Sequence, residues 1–139
     1  MAPVPVLHQT VLDTEDPRAL AEFYRRLLGL HYREGDEPPG PGEPDPLGQD
    51  WLCLRAPDDR PLLAFQKVDH LPEPTWPDQG VPQMLHLDTT VDSVEALWQV
   101  HEHALHLGAR LRRDRSDDEE EPLLVYADPS GHPFCVFVA

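Results

Sequence analysis

The chain writes one pattern twice. Leu7-His8-Gln9-Thr10-Val11-Leu12 opens the first half, and Leu85-His86-Leu87-Asp88-Thr89-Thr90 opens the second. Each is followed by an acidic turn, an apolar stretch at helical spacing and a glycine, Gly29 in one copy and Gly108 in the other. His8 to Gly29 spans 21 positions and His86 to Gly108 spans 22. Such self-similarity constrains architecture before any single motif does, because each copy must form one supersecondary unit on a shared plan.

The first copy, residues 6–69, reads as βαβββ. Val6 to Leu12 is apolar and β-branched enough for a strand, and alternation would set His8, Thr10 and Leu12 on one face. Asp16-Pro17 then offers an N-cap followed by a proline at the first helical position. Leu20, Phe23, Tyr24, Leu27 and Leu28 make one apolar stripe, which Gly29 closes. Leu30 to Arg33 is a short strand. Asp36 to Pro46 holds five prolines and two glycines in eleven residues, so it is expected as an exposed loop. Asp50 to Arg55 and Leu62 to Val68 form a hairpin around the turn at Ala56-Pro57-Asp58-Asp59-Arg60-Pro61.

Residues 70–83, with four prolines and no periodicity, are a connector. The second copy, residues 84–138, repeats the order. Met84 to Thr90 is a strand, and Asp92 or Ser93 caps a helix striped by Val94, Leu97, Trp98, His101 and Leu105. Ala109 to Arg113, Leu123 to Ala127 and Phe134 to Val138 complete it, with Asp128-Pro129-Ser130-Gly131 as the last turn. The expected fold is therefore one α+β domain over residues 1–139, built of two βαβββ modules. Each sheet buries one face under its helix, and the other faces are expected to curve around a cleft.

Composition narrows the partners. A formal net charge of −15 opposes nucleic acid and anionic membrane surfaces, both of which require basic patches. No apolar run approaches the roughly 20 residues of a spanning helix. Two cysteines, Cys53 and Cys135, suit reduced thiols better than a disulfide framework. With a start that lacks the basic and apolar regions of a signal peptide, the expected location is the cytoplasm.

These residues resemble the vicinal oxygen chelate superfamily: glyoxalase, the bleomycin-resistance proteins and the extradiol dioxygenases. The resemblance spans residues 6 to 138. His8-x-x-x-x-Asp13, Ala21-Glu22-Phe23-Tyr24-x-x-Leu27-Leu28-Gly29-Leu30, His86-Leu87-x-x-x-Val91-Asp92, Leu107-Gly108-Ala109 and Asp128-Pro129-Ser130-Gly131-His132-Pro133-Phe134 carry it. Leu63-Ala64-Phe65-Gln66 and Gly131-His132-Pro133-Phe134-Cys135 are most similar to its small glyoxalase-like subgroup. One fold of this kind hosts many functions.

The resemblance implies a divalent metal held from the first and last strands of each copy. His8 and His86 match the first-strand ligands. The last-strand position, usually glutamate, is Cys135 in the second copy and Ala64 or Gln66 in the first. None is a carboxylate. The expected function is accordingly small-molecule binding, an aromatic or amphipathic ligand lodged among His8, Thr10, Trp51, Gln66, Trp76, His86, Asp88, Cys135 and Phe137. The alternative is a metal-dependent lyase, isomerase or dioxygenase using zinc, nickel, manganese or iron at His8 and His86. No catalytic residue is assigned, and a non-catalytic interaction module stays open without direct support. The resemblance also implies a homodimer.

Overall fold

The computed structural model describes residues 2–139, which divide after His70 into two compact units. Both are α+β, and each carries a four-stranded mixed sheet and one helix.

The first unit comprises β1 (Thr10–Thr14), α1 (Pro17–Leu28), β2 (His31–Tyr32), β3 (Trp51–Arg55) and β4 (Pro61–Lys67), in the sheet order β1-β4-β3-β2. β1 runs parallel to β4 and the other pairs are antiparallel. Asp16 caps α1 through a bond from the Ala19 N–H at 3.1 Å, Pro17 occupies the first turn, and Gly29 ends the helix at φ 66°. Glycine reaches that left-handed conformation without the steric penalty of a side chain. Leu20, Phe23 and Tyr24 bury against Leu12, Leu52 and Phe65, and the Tyr24 and Phe65 rings stack at 6.1 Å.

The strand expected over Val6 to Leu12 begins instead at Thr10. Val6 and Leu7 are about nine-tenths exposed, so they have no apolar surface to pack on. Pairing with Leu63–Lys67 sets the register, and it puts Thr10, Leu12 and Thr14 on the helix-covered side. Gln9, Val11 and Asp13 follow the opposite parity. His8 precedes the strand, exposed, and shares no strand face with Thr10 and Leu12 as expected.

The proline-rich loop is tied down more firmly than its composition suggests. Arg18 donates two bonds to the Asp45 carboxylate, at 2.8 and 2.9 Å, and a third to the Asp36 carbonyl at 2.7 Å. Its guanidinium also lies over the Tyr32 ring. Asp36, only 3% exposed, accepts the Cys53 backbone N–H at 2.9 Å and pairs with Arg33. A single 3-10 turn, Leu47–Gln49, leads into β3.

The second unit comprises β5 (Leu87–Val91), α2 (Val94–Leu107), β6 (Arg110–Arg115), β7 (Leu123–Ala127) and β8 (Pro133–Val138), in the order β5-β8-β7-β6. Ser93, one of the two expected caps, accepts the Ala96 N–H at 3.1 Å. Beneath α2 the rings of Tyr126 and Phe134 stack at 5.1 Å, and His101 Nδ1 lies 2.8 Å from the Tyr126 hydroxyl. Trp98 is not core as its place on the stripe implied: it stays 40% exposed, edge-on to His101. The connector belongs with this unit and folds onto β6, where Arg112 donates to the Trp76 carbonyl at 2.9 Å and Arg113 sits over the Trp76 ring. No helix among the described residues is long and apolar enough to cross a membrane.

Candidate functional site

In the second unit, the sheet face turned away from α2 gathers three groups that can ligate a metal. Alternation along β5 puts Leu87, Thr89 and Val91 toward the helix and Asp88 on the other side, with His86 just before the strand on the same side. In the parallel register Asp88 stands opposite Cys135 of β8. The Cys135 thiol donates to Asp88 Oδ1 at 2.7 Å, and His86 Nε2 lies 3.2 Å from the same oxygen. One nitrogen, one oxygen and one sulfur thus lie within 4.8 Å of one another.

The electrostatics of the group favour a held proton. Partial burial, and then the bond to the Asp88 carboxylate and its charge, push the Cys135 thiol up to about 12. Glu121 adds to this and a backbone bond at Thr89 partly offsets it. A thiolate here would stand against an anion 2.7 Å away, so sulfur keeps its hydrogen and shares it with oxygen. His86 and Asp88 remain about half exposed, so the site is open to solvent on this face.

The first unit does not reproduce this arrangement. Bonds from Val68 N to Thr14 O and from Ala139 N to Val91 O, at 2.9 and 3.0 Å, mark equivalent ends of the two parallel pairs. Counting back from them matches Gln9 with His86, Val11 with Asp88, Ala64 with Cys135 and Gln66 with Phe137. The first-unit counterpart of the His86-Asp88-Cys135 group is therefore Gln9, Val11 and Ala64, none of which is a metal ligand of consequence. His8 is one position out of register, since it matches Leu85. Gln9 Nε2 instead points to Cys53 Sγ at 4.0 Å, and Trp51 Nε1 donates to the same sulfur at 3.1 Å.

The remaining expected site residues fall in several places. Thr10 is on the helix-covered side of β1, and Gln66 is exposed on the opposite face, paired in register with Trp51 and Asp13. Trp51 is half-buried. Phe137 lies two residues along β8 from Cys135, on the same face and half-buried. Trp76 is on the connector beside Arg112 and Arg113, at the edge strand away from β5. The structure thus brings His86, Asp88, Cys135 and Phe137 onto one face of one sheet. Sequence reasoning named Asp88 only as a lining residue and missed it as the carboxylate of the group. The alternation His86-x-Asp88 was the available signal.

The fold and the site define a two-module βαβββ protein with an imidazole, a carboxylate and a thiol gathered on one sheet face. The chain belongs to the glyoxalase-like domain family, whose sequence model matches residues 9–137. Among solved structures it is similar to a glyoxalase/bleomycin resistance protein/dioxygenase family enzyme from Burkholderia phytofirmans (TM-score 0.67, 16% identity, 94% of this chain and 96% of that one). It is also similar to the fosfomycin resistance protein FosX from Mesorhizobium loti (TM-score 0.64, 13% identity, 99% and 94%). A FosX variant from Listeria monocytogenes, complexed with Mn(II) and 1S,2S-dihydroxypropylphosphonic acid, superposes with a TM-score of 0.68 at 14% identity over 99% and 94% of the two chains. At these identities the likeness is one of fold. No curated protein sequence matches significantly.

Proposed function

We propose that this glyoxalase-like protein holds one divalent metal of the zinc type through His86, Asp88 and Cys135 and binds a small oxygen-bearing ligand at the same place. The observation that carries the reading is the convergence of the three donor atoms within 4.8 Å. It reverses the preference drawn from sequence, which rested on a missing carboxylate, because Asp88 supplies one.

The donor set is specific. Manganese and magnesium prefer all-oxygen surroundings, whereas a mixed imidazole, carboxylate and thiolate set suits zinc. Three protein ligands with an open position are the arrangement of catalytic zinc sites, whose donor atoms stand roughly 3.5 Å apart. The observed 2.7 and 3.2 Å separations are close enough to relax to that spacing. When bound, such an ion supplies Lewis acidity toward a ligand oxygen. This favours lyase or isomerase chemistry over the dioxygenase alternative, since zinc has no redox chemistry.

The chain's own groups have separate parts. Asp88 accepts the Cys135 S–H in the free protein and would offer that oxygen to the ion once the thiol proton has gone to solvent. His86, half exposed, would hold the ion through its imidazole from the solvent side of the group. Phe137 and Val125, half-buried on the same face, give an apolar wall for an aromatic or amphipathic ligand.

A second reading has its own support. The thiol raised to about 12 describes a closed His86-Asp88-Cys135 hydrogen-bonded group, suited to metal-free recognition of a polar ligand atom. Zinc titration of untagged protein against a competing chelator separates the two. One tight equivalent supports the metal site; binding no stronger than that of scattered surface histidines contradicts it.

A further inference from the structure

The opposite edge of the second sheet carries another constructed site. β6 holds four of the ten arginines, Arg110, Arg112, Arg113 and Arg115, all exposed, in a chain of net charge −15. Register puts Leu111 opposite Tyr126 and Arg113 opposite Val125, so Arg112 is an extra residue, a β-bulge. Bulges at sheet edges re-aim a side chain. Here the bulge lets Arg112 reach the connector, where it approaches Glu73 Oε1 at 3.4 Å and donates to the Trp76 carbonyl at 2.9 Å. Arg110 pairs with the same Glu73 oxygen.

The connector itself is shaped to face these guanidinium groups. The Thr75 N–H bonds the Val81 carbonyl, the Val81 N–H returns to Thr75 Oγ1, and the Asp78 N–H reaches the Thr75 carbonyl, all at 2.8 to 2.9 Å. Between this closed loop and β6 lies a broad, solvent-open depression of about 380 Å³ lined by Glu73, Pro74, Thr75, Asp78, Arg110 and Arg112. Two planar guanidinium forks spend little of their donor capacity on one partly exposed carboxylate oxygen. Such forks pair best with a two-oxygen anion that both can grip.

We propose that this depression binds the carboxylate or phosphate group of a small metabolite, and that Glu73 occupies its place in the free protein as an internal anion. The ligand group displaces the Glu73 side chain and takes both Arg110 and Arg112. Asp78, on the facing wall, accepts from a hydroxyl or ammonium on the ligand and disfavours a second negative charge. The site lies on β6 and the connector, away from His86, Asp88 and Cys135, and does not depend on a metal there.

Calorimetric titration with inorganic phosphate and with lactate, in the chelator-treated 139-residue chain, tests this. Glu73→Gln is expected to bind one equivalent of one probe about tenfold more tightly than the unsubstituted protein, a gain of roughly 1.4 kcal/mol. Preference between the probes identifies the source of the anion. Adding Arg112→Gln is expected to abolish that binding, and His86→Ala to leave it unchanged. Because Glu73→Gln also frees the connector, the Nε–Hε resonances of Arg110 and Arg112 are followed in unsubstituted protein titrated to high probe concentration. Shifts confined to these two arginines support the site. Absence of shifts, weaker binding in Glu73→Gln, or binding indifferent to Arg112→Gln overturns it.

Discussion

Cys135 donates its thiol hydrogen to Asp88 Oδ1 at 2.7 Å, across a parallel register pair between β8 and β5. The contact joins the last strand of the module to its first, which is where this fold brings groups distant in sequence onto one face. It also replaces the carboxylate expected on β8 by one on β5. A metal bound as proposed would take the place of that proton, which would link its occupancy to the chemistry of the thiol.

Alkylation of Cys135 follows from that contact. Burial first, and the Asp88 anion next, raise the thiol to about 12, so the reactive thiolate is scarce at pH 8 and grows tenfold per pH unit well above 9. Iodoacetamide labelling read by peptide mass is expected to be slower at Cys135 than in the unfolded chain. Asp88→Asn removes the repelling charge and is expected to speed it. Unchanged labelling in Asp88→Asn would show that the carboxylate does not control the thiol.

Asp36 tests how the proline-rich loop is held. Its carboxylate is the acceptor for the Cys53 N–H in the middle of β3 and a partner of Arg33. Asp36→Ala leaves a buried donor unsatisfied, at a cost of about 1–3 kcal/mol. Denaturant unfolding with an unaltered m-value is the measure, and a loss below about 0.5 kcal/mol would contradict the assignment.

Arg18 tests the other anchor of that loop. Arg18→Met keeps most of the packing but removes three bonds, two to Asp45 and one to the Asp36 carbonyl. Limited proteolysis is expected to accelerate between residues 37 and 46, with a stability loss of roughly 2 kcal/mol. If cleavage does not change, the loop is held by its turn residues alone.

The helix caps give a paired prediction. Asp16 and Ser93 do the same work at the heads of α1 and α2, each accepting the N–H three residues on at 3.1 Å. Asp16→Ala and Ser93→Ala are each expected to cost about 1 kcal/mol. Markedly unequal losses in thermal or denaturant unfolding would mean that one cap is not used.

Most of the architecture was legible because it rests on local patterns: the Asp16-Pro17 start, the helical stripes, the closing glycines and the alternating hairpin strands. The site was read one residue out of register in the first copy. The two histidines are 78 positions apart, but the capping residues Asp16 and Ser93 are 77 apart, and α2 is two residues longer than α1. Counting from histidine to glycine spread that insertion over the whole copy and matched His8 with His86, whereas hydrogen-bonded register matches Gln9. Strand register depends on pairing with β4, far along the chain, and a slip of one residue exchanges the two faces. The tie between Arg18, Asp36 and Asp45 was invisible for a similar reason: composition reports how a loop bends, while its side-chain partners lie on other elements.

Cobalt(II) titration followed by absorbance tests the metal site most directly, because a thiolate ligand gives a charge-transfer band that histidine and carboxylate sites lack. The expected result is one equivalent with that band, lost in Cys135→Ser, weakened at least about tenfold in His86→Ala and in Asp88→Asn, and retained in His8→Ala. A band that survives Cys135→Ser, or binding that depends on His8 and not on His86, would contradict a centre built on His86, Asp88 and Cys135.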